Sequence, residues 1–119
     1  MKRILLISAL LAIPLVASAD PDATRVILKV IEEEIARLEP RADAVKQDRA
    51  QAEDWREKSI AAFKLCHMEK RCTRQELDAV MASTEMANNV AKRHQEYANK
   101  LTELYMQRAK LRRDLKQGR

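Results

Sequence analysis

The chain of 119 residues contains one glycine and three prolines. Turn-rich β architecture needs far more punctuation than that, so sandwiches and barrels are excluded from the start. Aromatics make up 3% of the residues, too few for a large aromatic core or for rows of stacking platforms. No Ser/His/Asp arrangement, glycine-rich phosphate loop or paired-carboxylate pattern occurs, so neither an enzyme nor a cofactor is expected. Only two cysteines are present. The one long uncharged run, Ile4 to Val16, is about a dozen residues, short of the roughly 20 that span a bilayer.

That run has a role of its own. Lys2 and Arg3 precede it, and Ala17-Ser18-Ala19 follows with small residues where signal peptidase accepts them. Residues 1–19 therefore read as a cleaved secretory signal, which makes the expected address the periplasm. Removing Lys2 and Arg3 with the leader takes the net charge from +5 to +3. An exported, mildly basic chain is not expected to bind nucleic acid. Its basic residues gather only near the C-terminus, at Arg108, Lys110, Arg112, Arg113, Lys116 and Arg119, where the helix macrodipole favours cations. Contact with an anionic membrane surface is the functional alternative for that cluster.

What remains is dominated by Ala, Glu, Lys, Arg, Gln, Leu and Met, the good helix formers. An all-α domain over residues 20–119 follows: an antiparallel, coiled-coil-like helical hairpin with arms over 22–65 and 74–117 and a turn over 66–73. Asp22 or Thr24 is the expected N-cap of the first arm. Thr73-Arg74-Gln75-Glu76 has the form of a capping box for the second. Leu28, Ile31, Ile35, Leu38, Ala42, Val45, Arg49 and Ala52 keep a 3,4 spacing through Pro40, which kinks the first arm or breaks it in two. Toward the turn the apolar stripe shifts to Trp55, Ala62, Phe63 and Cys66. In the second arm Val80, Ala87, Val90, His94, Tyr97, Leu101, Leu104, Arg108, Leu111 and Leu115 share one heptad frame. Met68, Met81, Met86 and Met106 read as adaptable packing.

Cys66-His67-Met68-Glu69-Lys70-Arg71-Cys72 carries the distinctive chemistry. Six residues along a continuous helix separate two Cα atoms by about 9 Å, beyond disulfide reach, so a bond between them requires the chain to turn. Two cysteines flanking the only turn of an exported chain are expected to be joined. The alternative is a soft metal site of Cys66, His67, Met68 and Cys72, suited to Cu(I) or Zn.

Val26, Ile27, Val30, Tyr105 and Met106 lie off the seams and are expected to meet at the open end of the hairpin, forming a docking surface for a protein partner or a second copy. The functional expectation is a non-catalytic interaction protein of the cell envelope, an accessory or assembly component of a secretion or conjugation system. The alternatives are a holdase chaperone and a metal-binding stress protein.

Overall fold

A computed structural model describes residues 20–118; the leader expected over residues 1–19 lies outside them. Among the described residues the fold is a helical hairpin of two helices, α1 over Pro21–Met68 and α2 over Arg74–Lys116. The turn between them carries the Cys66–Cys72 disulfide.

Local chemistry sets the ends. The cap of α1 is Asp20 rather than Asp22 or Thr24. Its carboxylate accepts the Asp22 amide at 3.0 Å, and Pro21 takes the first helical position, where the missing N–H costs nothing. At the other end of α1, the Arg71 amide donates to the Cys66 carbonyl at 2.9 Å and the Lys70 amide to the His67 carbonyl at 3.1 Å. These two bonds are a Schellman motif whose left-handed position is Lys70, at φ 55°. The only glycine, Gly118, fills the same kind of position after α2, at φ 73°.

The helix does not end at Pro40. α1 runs through it, and Ala36, whose carbonyl loses its i+4 donor there, is exposed so that water can replace the missing bond. Pro40 is also the boundary between two compact units.

The first unit joins α1 up to Glu39 with α2 from Asn99. Besides Thr24, whose hydroxyl donates to the Asp20 carbonyl at 2.9 Å, its buried residues are large aliphatics: Ile27, Ile31, Ile35 and Leu38 from α1, and Leu101, Leu104 and Leu111 from α2. Each aliphatic is worth roughly 1.5 to 3 kcal/mol of transfer free energy. Arg112 reaches Glu32 at 3.6 Å and the Tyr105 hydroxyl donates to Glu39 at 3.0 Å, two polar links between the helices.

The second unit is the hairpin around the turn, Pro40–Ala98. Its core is small: Val45, Ala52, Ala87 and Val90, with Tyr97 packed against them. The stripe on α1 keeps its phase toward the turn, through Ala52, Ser59 and Cys66 at seven-residue steps, all buried. The expected shift onto Trp55 and Ala62 does not occur, and both are exposed. In α2 the heptad frame holds, with Ser83 added as a buried member whose hydroxyl donates to the Val80 carbonyl at 3.1 Å.

Two substitutions test this account. Pro40→Ala should raise the unfolding free energy by about 2 kcal/mol in denaturant melts, since an interior helical proline is about 3 kcal/mol worse than alanine and part of that is returned by the looser unfolded chain. Lys70→Gly should add about 1 kcal/mol by relieving the left-handed strain. A loss of stability in either variant would contradict the corresponding assignment.

Candidate functional site

Three features are candidates: the disulfide turn, a polar layer within the second unit, and the exposed apolar residues.

Cys66 is buried in the last turn of α1, whereas Cys72 follows the helix and is exposed; their Cα atoms are 4.8 Å apart. The two sulfurs lie 3.1 and 3.4 Å from the Phe63 carbonyl oxygen. A disulfide sulfur has no hydrogen to donate, so these are close contacts and not hydrogen bonds. His67 stacks on Phe63 with ring centroids 6.1 Å apart. In this oxidised state the two thiolates that the alternative metal set requires are spent on each other, which leaves only His67 and Met68 of the four.

Beyond the turn, Glu76 stitches down the start of α2. Its carboxylate accepts the Thr73 amide at 2.8 Å and also the Thr73 hydroxyl. This is half of the expected capping box, with the hydroxyl turned onto the carboxylate. The hydrogen bond from the Thr73 hydroxyl is the main cause holding the Glu76 carboxyl below its ordinary value, helped by backbone amides.

Arg49 and His94, which the heptads put in line with core residues, face each other. The guanidinium donates from Nη1 to His94 Nδ1 at 3.1 Å and from Nε to Glu53 at 3.0 Å. Guanidinium has no acceptor, so this contact requires a neutral imidazole with its proton on Nε2. A matched polar pair in a seam of small apolar residues specifies register more than it adds stability.

The residues expected to form an open-end patch are not brought together. Ile27 is only 6% exposed and belongs to the core, while Val30 is half-buried. Tyr105 bonds Glu39, thirteen residues after Val26 and so about 20 Å along α1. Its ring is also covered by Arg108, at 5.2 Å from the centroid. Val26 and Met106 are exposed at separate places. Two members of the basic cluster, Arg108 and Arg112, are thus already engaged. No helix among the described residues is long and apolar enough to cross a membrane.

Exposed apolar surface lies chiefly elsewhere. Among the described residues nine large apolar side chains are exposed, and six of them fall between Trp55 and Met86: Trp55, Leu65, Met68, Leu77, Met81 and Met86. That places the apolar surface on the turn unit. All four methionines after the leader are exposed, so none fills the core as expected. Leu77 and Met81 are an i,i+4 pair on one flank of α2. Met86, five residues on, points about 140° away from Met81, onto the other flank, where it faces Trp55 across a groove. The signal in the sequence was the set of large apolar residues that fall outside both heptad frames.

The lowered Glu76 pKa gives a pH dependence. The stability it contributes is fully present above the ordinary carboxylate range and is lost as pH falls through its lower folded value. Glu76→Gln should therefore be less stable than the parent near neutrality, and chemical melts should bring the two together in acid. A gap independent of pH would show that the charge of Glu76 plays no part.

No family model matches the chain, and neither a search of curated proteins nor one of solved structures finds a protein similar to it.

Proposed function

We propose that this is an exported, non-catalytic helical protein of the periplasm that binds a protein partner through the turn-end unit of its hairpin, as an accessory or assembly component of an envelope system. The observation that carries the reading is the concentration of exposed apolar side chains between Trp55 and Met86 on a chain that is 34% charged. Interaction surfaces are the usual reason for so many exposed large apolar side chains on one unit, here spread over two flanks. The Leu77–Met81 flank offers the i,i+4 anchors that a partner helix or groove recognises. The disulfide fits an oxidising compartment, and the leader read from residues 1–19 supplies the route there.

A second reading is favoured by the methionines. Met68, Met81, Met86 and Met106 are all exposed, and flexible thioethers suit promiscuous binding. A holdase would use them against many unfolded clients.

A photo-crosslinker at Met81, installed in cells, separates these readings. A specific partner gives one adduct of discrete mass, absent when the probe is moved to the exposed Lys110. A holdase gives a ladder of adducts that grows under heat or acid stress. No adduct at Met81 in any growth condition would count against both. Mass spectrometry of the same protein should show a chain beginning at Asp20 with no free thiol; an intact leader would refute export.

A further inference from the structure

We infer that the groove between Trp55 and Met86 is a self-association face, and that its occupant is a second copy of this chain related by a two-fold axis parallel to the helices.

The groove belongs wholly to the turn unit. Asp48, Gln51, Ala52 and Trp55 line it from α1, and Met86, Val90 and Arg93 from α2, around a volume of about 300 Å³. Its floor, Ala52 and Val90, is part of the small core. Trp55 is 43% exposed and Met86 48% exposed, so each wall carries a large apolar side chain that is only half covered.

The rim carries opposite charges. Asp48 adjoins Arg49 and Arg93 adjoins His94, and the Arg49–His94 hydrogen bond fixes these two stretches at one level of the hairpin. Neither Asp48 nor Arg93 has a hydrogen-bond or ion-pair partner among the described residues. Trp55 and Met86 face each other at a second level, seven residues, or about 10 Å, nearer the turn.

Chemistry at two levels selects one symmetry. An isologous interface must be self-complementary, residue i meeting residue j and j meeting i. A two-fold axis along the helices, lying in the interface, keeps each residue at its own level and exchanges the two walls. Trp55 then meets Met86 of the second copy, and Asp48 meets Arg93 of the second copy, each contact made twice. An in-plane axis across the helices reverses the levels, setting Trp55 near Asp48 of the second copy and wasting both matches. The favoured axis also puts α1 of one copy beside α2 of the other, so neighbouring helices are antiparallel around a four-helix core. A sulfur–aromatic contact and an ion pair beside an apolar floor are a recognisable interface centre.

This goes beyond the partner reading: both draw on the exposed apolar residues of the turn unit, but partner binding is assigned to the Leu77–Met81 flank, and self-association needs no other protein. The test is sedimentation equilibrium of the purified, disulfide-bonded protein, with Asp48→Arg, Arg93→Asp and their equimolar mixture. Both positions are exposed and unpaired, so helix content by circular dichroism should stay at the parent level. The parent should be a concentration-dependent dimer, and Trp55, the only tryptophan, should shift its emission to the blue as the dimer forms. Each reversal alone places like charges together twice and should weaken association by about thirtyfold or more. Mixing the two restores opposite charges at both contacts, so a heterodimer should reappear. A parent that stays monomeric at every attainable concentration would overturn the proposal. So would a dimer indifferent to both reversals, or a mixture no tighter than its components. Failure of the Met81 cross-link leaves this result unaffected, and the converse also holds.

Discussion

The bond between Cys66 and Cys72 is the constraint on which the turn-end half of the hairpin depends. That half buries two valines and two alanines as its core cluster, and alanine returns little transfer free energy. The other unit has seven buried Ile and Leu residues to hold it. A small disulfide loop removes chain entropy from the unfolded state worth about 2 kcal/mol, a large share of what so thin a core can supply. The bond also fixes where the two helices start relative to each other. Cys66 lies on the same stripe as Ser59 and Ala52, so anchoring it anchors the phase of the whole α1 seam in this unit. Farther from the turn the Arg49–His94 contact takes over that role, since a slip of one residue would leave a guanidinium among apolar side chains.

Small residues follow from the same bond. With the cysteine Cα atoms 4.8 Å apart, the helices begin in close approach, and the distance between helix axes depends on the side chains between them. Ala52, Ser59, Ser83 and Ala87 are buried there, whereas Trp55 is exposed and Phe63 only half-buried. That is why the seam keeps its seven-residue period through small residues while Trp55 remains on the flank. Following side-chain size instead of period leads to the wrong face, as it did for the stripe near the turn.

The sequence was legible where a single force dominates. Scarcity of glycine and proline, good helix formers and the heptad frame of α2 were enough to place both helices, the turn and the disulfide. The opposition of Arg49 and His94 was implicit in their seam positions. What the pattern could not decide were outcomes that depend on close competition. Asp20, not Asp22, caps α1 because Pro21 prefers the first helical position. Pro40 neither ends nor splits the helix, because the buried stripe resumes at Val45 after Leu38 and the lost hydrogen bond faces water. Ile27 displaced Leu28 from the seam and so left the expected open-end patch. Tyr105 likewise spends its hydroxyl on Glu39 and its ring on Arg108. A docking surface inferred from residues left over by a periodicity argument fails when those residues have polar partners that periodicity does not see.

The geometry of α2 makes the proposed self-association compatible with the proposed partner binding. Met81 and Met86 are five residues apart and so project about 140° from each other. A second copy seated on the Trp55–Met86 groove covers one flank of each hairpin and leaves the Leu77–Met81 flank of each facing outward. Because the two-fold runs along the helices, both outward flanks sit at the same end, beside their disulfide turns. The dimer would then offer two equivalent anchors at one level, and a partner with repeated binding elements would gain from effective concentration without any new contact. The disulfide enters this argument too, since the pair of flanks can be held in fixed register only if each thin-cored turn is rigid. One covalent bond thus links the stability of the turn unit to the geometry of what it presents.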